Sequence, residues 1–223
     1  MNLKSRLIYL PVDHSEIQGD LNIPEKTKAI VVFAHGSGGS RHSPRNTHVA
    51  DVLNEAGFAT LLVDLLTPDE EVVDFQTAQY RFDIDLLADR LKTVTQWLRG
   101  QSETKRLHIG YFGASTGAGA ALVAAAKQPD VIEAVVSKGG RPDLAGPWLL
   151  QVHAPVLLIV GGEDKVVIEL NYLAINELRT DHHLEIISGA GHLFEEPGAL
   201  DKVAILARDW FREHLILADR RVA

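Results

Sequence analysis

No cysteine occurs among the 223 residues of the chain, and that absence removes disulfides, thiol nucleophiles and thiolate metal sites together. It agrees with a reducing compartment. Long apolar runs are missing as well: the longest, such as AIVVFA and PVLLIV, hold about six residues, where a membrane-spanning helix needs roughly 20. The opening residues, MNLKSRLIYLPVDHSE, reach Asp13 and His14 before an apolar stretch of signal-peptide length can accumulate. The expected address is therefore the cytoplasm, with no membrane partner. Positive charge is also short. At a net charge of −8 the chain lacks the clustered Lys and Arg on which phosphate-backbone binding leans, which sets nucleic acid aside as a partner. No repeat, low-complexity tract or shift of composition interrupts the sequence, so residues 1–223 are expected to form one domain acting on a small molecule, with room left for a homodimer.

The order of elements is legible in the apolar runs. RLIYLPV and SEIQGDLNIP flank DHS and read as an opening antiparallel pair. After them come six aliphatic runs that end in glycine or acid: 29–36, 59–65, 107–113, 132–139, 154–162 and 184–191. Runs this continuous suit strands covered on both faces, as in a parallel sheet. Helices are expected between them over 46–56, 116–127, 166–178 and 197–215. The stretch RFDIDLLADRLKTVTQWLRG is another, with Ile84, Leu87, Leu91, Val94 and Leu98 at spacings of three and four and Gly100 at its stop. Strand and helix alternate to the end of the chain, which predicts a doubly wound α/β sheet with its functional residues at the carboxyl ends of the strands.

The stretch GYFGASTGAG, 110–119, admits two chemistries. As a glycine-rich loop it would cradle a dinucleotide pyrophosphate, but such a loop belongs after the first strand with an acid about 20 residues on. Here it follows several strands, and Glu133 lies inside a strand. A short-chain dehydrogenase would also need Tyr-x-x-x-Lys, and none of Tyr9, Tyr80, Tyr111 or Tyr172 has lysine four positions on. As G-x-S-x-G, Gly113 to Gly117, the same stretch is a strand, a tight turn and a helix that lifts Ser115 above the sheet edge. A serine hydroxyl needs a base, and the base needs an acid to fix its tautomer. Asp164 in VGGEDKVV stands just past one strand and His192 in SGAGHLFEEPG just past the next, in the order Ser, Asp, His. Glu163, Glu195 and Glu196 are rivals for the acid, and Asp164 could serve as a helix N-cap.

HGSGG, GASTG, GGED and GAGH resemble the α/β-hydrolase fold family in content, order and position, and the lidless length is similar to its dienelactone-hydrolase-like branch. The resemblance spans about Arg6 to Leu215. It implies an eight-stranded, mostly parallel sheet with helices on both faces, the second strand antiparallel, and no large lid. Dienelactone hydrolases proper use cysteine where this chain has Ser115. The implied activity is a serine hydrolase cleaving small carboxylic esters or lactones through an acyl-enzyme, without metal or cofactor. Ser115, Asp164 and His192 are its expected catalytic residues, and the backbone N–H groups of Ser37 and Thr116 its oxyanion hole. The alternative is a catalytically silent relative acting as a binding or scaffold protein. Arg41, Arg45 and Arg141 are candidates to pair a substrate carboxylate. His35, His42 and His48 follow no zinc spacing, and His35 is expected to bond within its own loop. Only GGRPDLAGPWLLQVHA connects the strands near Lys138 and Pro155, so the site is expected to be open and to favour short acyl groups.

Overall fold

A computed structural model of the protein describes residues 3–217. Strands β1 (Leu3–Val12) and β2 (Ser15–Pro24) form the expected antiparallel pair. They are followed by β3 (Ala29–Ala34), β4 (Ala59–Val63), β5 (His108–Ala114), β6 (Ile132–Lys138), β7 (Val156–Gly161) and β8 (His182–Ile187). One eight-stranded sheet results, in the order β1-β2-β4-β3-β5-β6-β7-β8. β2 runs antiparallel to both neighbours and the other pairings are parallel.

The sheet is covered on both faces, which is why its central strands read as unbroken apolar runs. In β3, Ile30, Val32 and Ala34 enter one core while Ala29, Val31 and Phe33 enter the other, the two-residue alternation of a pleated strand. Helices α3 (Ile84–Gly100) and α4 (Thr116–Ala126) close the first core with α5 (Lys165–Glu177), and α1 (Pro44–Glu55) with α6 (Ala199–Phe211) close the second. Each fully buried Val, Leu or Phe contributes about 1.5–3 kcal/mol. Asp83 caps α3 by accepting from Leu86 N–H at 3.0 Å, while Arg81 beside it pairs with Asp74 at 2.6 Å. The β6-to-β7 connection carries only short 3₁₀ turns over Pro142–Gln151, so no helical cap stands there.

One element was not foreseen. Helix α2 (Pro68–Thr77) fills the connection between β4 and α3. Thr67 starts it with a reciprocal box: its hydroxyl accepts from Glu70 N–H, and Glu70 accepts from Thr67 N–H at 2.8 Å. Its Val72 and Phe75 are exposed, so it lacks the one-sided apolar stripe by which helices are found.

Candidate active site

Ser115 occupies the turn from β5 into α4 with φ 51° and ψ −121°, a conformation that residues bearing a Cβ seldom adopt. The flanking glycines make it possible. A Cβ on Gly113 would fall on the Ala118 backbone, and one on Gly117 would fall on the carbonyl of Ala34. Backbone bonds pin the turn: Ser115 N–H donates to Lys138 O at 3.2 Å, and Ser115 O accepts from Ala118 at 3.1 Å and Arg141 at 3.0 Å.

Asp164 follows β7 and begins α5, yet its side chain makes no capping bond. Its Oδ2 lies instead 2.5 Å from His192 Nδ1. A carboxylate only accepts, so Nδ1 carries the proton and Nε2 keeps its lone pair. The rival acids are engaged elsewhere: Glu195 pairs with Arg45 at 3.0 Å, and Glu196 accepts from Gly191 N–H at 3.0 Å. Glu163 is exposed.

Ser115 and His192 line one cavity of about 210 Å³, together with Ser37, Arg45, Asn46 and Lys138. Among the described residues no hydrogen bond joins the serine hydroxyl to the imidazole. In ligand-free sites such bonds are often long and tighten when substrate arrives. Ser37 N–H donates to Thr116 Oγ1 at 2.9 Å, so one of the two expected oxyanion donors is occupied by a neighbouring hydroxyl. His35 bonds within its own loop, its Nδ1 3.0 Å from Gly36 O. His42 lies 3.7 Å from Asp20 and His48 2.8 Å from Asp201.

The three arginines separate. Arg141 is bidentate on Asp143, at 2.8 and 2.7 Å. Arg41 is held by Asp64 and lies 3.4 Å from Asp20. Neither lines the Ser115 cavity. Arg45 does, and so does Lys138, which was not singled out in the sequence because a strand-end lysine is ordinarily solvated. Burial, helped by Arg45 and opposed by Glu195, lowers Lys138 to about 8.

On the other side of the His35–Ser40 loop lies a second, mostly apolar cavity of about 300 Å³, bounded by Leu65, Leu66 and Leu87 with Phe75 and Glu71 of α2. Burial, reinforced by Asp64, raises the Glu71 carboxyl. The cleft is thus uncapped at the β6-to-β7 connection, as expected, but walled by α2 at another.

A family model described as the dienelactone hydrolase family matches residues 17–214. The crystal structure of a dienelactone hydrolase from Anabaena variabilis superposes with a TM-score of 0.93 at 54% identity, covering 96% of this chain and 99% of that one. Two Mycobacterium tuberculosis proteins, provisionally named phosphoribosyl transferase, are 60% identical over 199 residues, which are 89% of this chain but 44% of theirs. A Bradyrhizobium protein, provisionally named 2-oxo-3-(5-oxofuran-2-ylidene)propanoate lactonase, is 30% identical over 173 residues, 68% of this chain and 69% of that one.

Proposed function

The chain belongs to the dienelactone hydrolase family, and from that premise we propose that it is a serine hydrolase cleaving small carboxylic esters or lactones. The observation that carries the reading is the 2.5 Å contact between His192 and Asp164, set in the cavity that also holds Ser115 on its strained turn. His192 Nε2 takes the Ser115 proton as Oγ attacks the carbonyl carbon, and Asp164 stabilises the imidazolium that forms. The oxyanion is received by Thr116 N–H and by Ser37 N–H, the latter exchanging Thr116 Oγ1 for the substrate. His192 then returns the proton to the leaving oxygen. Water attacks the acyl-enzyme by the same route in reverse.

The Bradyrhizobium relative's name supports a lactone with a carboxylate arm as substrate. The Mycobacterium name describes chains of which more than half lies outside the match, and it carries no weight for this domain. The test is labelling of purified protein with a fluorophosphonate. Wild type is expected to be labelled and to hydrolyse short esters with no effect of EDTA, while Ser115→Ala loses both label and turnover, the latter by roughly 10⁶-fold. An unlabelled wild type would favour the silent binding protein.

A further inference from the structure

Two cavities meet at the His35–Ser40 loop. One holds Ser115 and His192, and the other, of about 300 Å³, lies against α2. Gly36, Ser37 and Gly38 line both, and the second also reaches Thr116. The hydrogen bond from Ser37 N–H to Thr116 Oγ1, 2.9 Å long, therefore stands at their junction. These are the two residues whose N–H groups are to receive the oxyanion, so a carbonyl seated on them has a cavity on either side. Its carbon carries two substituents, the acyl group and the leaving oxygen. His192 must return its proton to that oxygen, and His192 lines the Ser115 cavity. The leaving group therefore lies on that side, and the acyl group is left with the cavity against α2.

The lining fixes what kind of acyl group fits. Leu65, Leu66 and Leu87 present buried apolar side chains, while Phe75 of α2 is 86% exposed at the rim. A phenyl ring left in water beside an apolar cavity gains by being covered, best by another ring. The polar groups of the wall offer little to a charged ligand. Asp74 already accepts from the N–H groups of Tyr80 and Arg81 and from the Arg81 guanidinium, and the Glu71 carboxyl opposes an anion. A cavity of about 150 Å³ takes benzene, so this one has room for a ring on a short tether. We propose that the cavity against α2 receives an uncharged acyl group ending in a ring, such as 3-phenylpropanoyl, and that Phe75 sets this selectivity by covering the ring. This rests on the hydrolase reading above. Ser115 Oγ bonds to the acyl carbon, the bond to the alkoxy oxygen breaks and that oxygen leaves with the proton from His192, so the ring keeps its place through the acyl-enzyme. The preference for short acyl groups expected from the uncapped β6-to-β7 connection gives way, because α2 supplies an apolar wall on another side.

Methyl 3-phenylpropanoate and 2-phenylethyl acetate are isomers that differ in which side of the ester carries the ring. Wild-type kcat/KM is expected to favour the phenylpropanoate by roughly 10- to 100-fold, the gain from taking a ring-sized apolar surface out of water. Phe75 is exposed, so Phe75→Ala should fold as wild type does. It is expected to cut the preference at least about 5-fold, while Phe75→Leu, which keeps an apolar cover, retains most of it and methyl acetate turnover stays unchanged in both. A wild type that treats the isomers alike or prefers the acetate overturns the proposal, as does a Phe75→Ala enzyme with the wild-type preference. Calorimetric titration of 3-phenylpropanamide into Ser115→Ala, with and without Phe75→Ala, reads the same cavity without turnover. Binding weakened at least about 5-fold by Phe75→Ala supports the proposal, and equal or absent binding overturns it. Failure to cleave either ester therefore counts against the hydrolase reading alone.

Discussion

Replacing Ser115 by glycine should stabilise the fold while removing the hydroxyl on which the proposed chemistry depends. At φ 51° and ψ −121° the residue sits where glycine is at ease and a Cβ is not, and such a residue costs about 1–3 kcal/mol. Glycine returns part of the gain by loosening the unfolded chain, about 0.5–1 kcal/mol. No hydrogen bond of the hydroxyl is lost among the described residues. The net is a gain of about 1 kcal/mol, or roughly 2–4 °C in Tm for a chain of this length. Ser115→Ala removes the same hydroxyl but keeps the Cβ, so it should melt close to wild type. Scanning calorimetry on the three proteins separates strain from hydroxyl loss. If the glycine variant melts at or below the alanine variant, the turn stores no strain and the reasoning fails.

The remaining predictions concern Asp164, which holds His192, and Lys138, which lines the same cavity. Asp164→Asn keeps the volume but presents an amide to His192 Nδ1, which favours the wrong tautomer, so kcat should drop by about 10⁴-fold while fluorescence-monitored unfolding stays near wild type. Lys138→Met should raise stability below about pH 8, by up to roughly 3 kcal/mol, because burial and the neighbouring Arg45 hold the ammonium at about 8 against an ordinary 10.5. Between those two values the unfolded chain binds the proton more tightly than the folded one, so wild-type stability rises with pH and the advantage of methionine fades. Urea unfolding at several pH values checks it, and a constant difference between the two proteins would refute it.

The fold was legible because its central strands are buried on both faces and end in glycine or acid, so each run announces both its interior and its stop. The three candidate catalytic residues were legible for a related reason. Each follows the carboxyl end of its own strand, β5 for Ser115, β7 for Asp164 and β8 for His192, where a parallel sheet offers its side chains to a common cleft. Helix α2 escaped because Val72 and Phe75 face solvent and give no apolar period, although its Thr67-x-x-Glu70 box with Pro68 was there to be read. Of the three arginines, Arg45 lines the cavity, whereas Arg41 and Arg141 are turned to partners that the sequence does not announce equally. Asp143 stands two residues from Arg141 and could have been paired with it, whereas Asp64 is separated from Arg41 by a whole helix and strand and meets it only in the fold. Lys138 was hidden by the general rule that lysine is solvated, which no local pattern contradicts.

Locally unfavourable features gather at this cavity. Ser115 holds a backbone conformation that costs energy, Lys138 buries a charge without a partner, and Gly113 and Gly117 give up side chains so that the turn can approach Ala118 and Ala34. Strand runs, the capped starts of α2 and α3 and core alternation agree on the same sheet, although Asp13, Lys26 and Ala78 also hold positive φ away from the cavity. Several such conflicts gathered at one cavity are what a binding or catalytic site looks like when the fold around it is stable enough to bear the cost. The conflicts also differ in kind. The strain at Ser115 is met by backbone hydrogen bonds already present to Lys138, Ala118 and Arg141, so the turn is complete without a ligand. The ammonium of Lys138 has the Phe194 ring 5.1 Å away and the Glu195 carboxylate in its field, but no hydrogen bond or ion pair among the described residues, so what completes it has to come from the cavity.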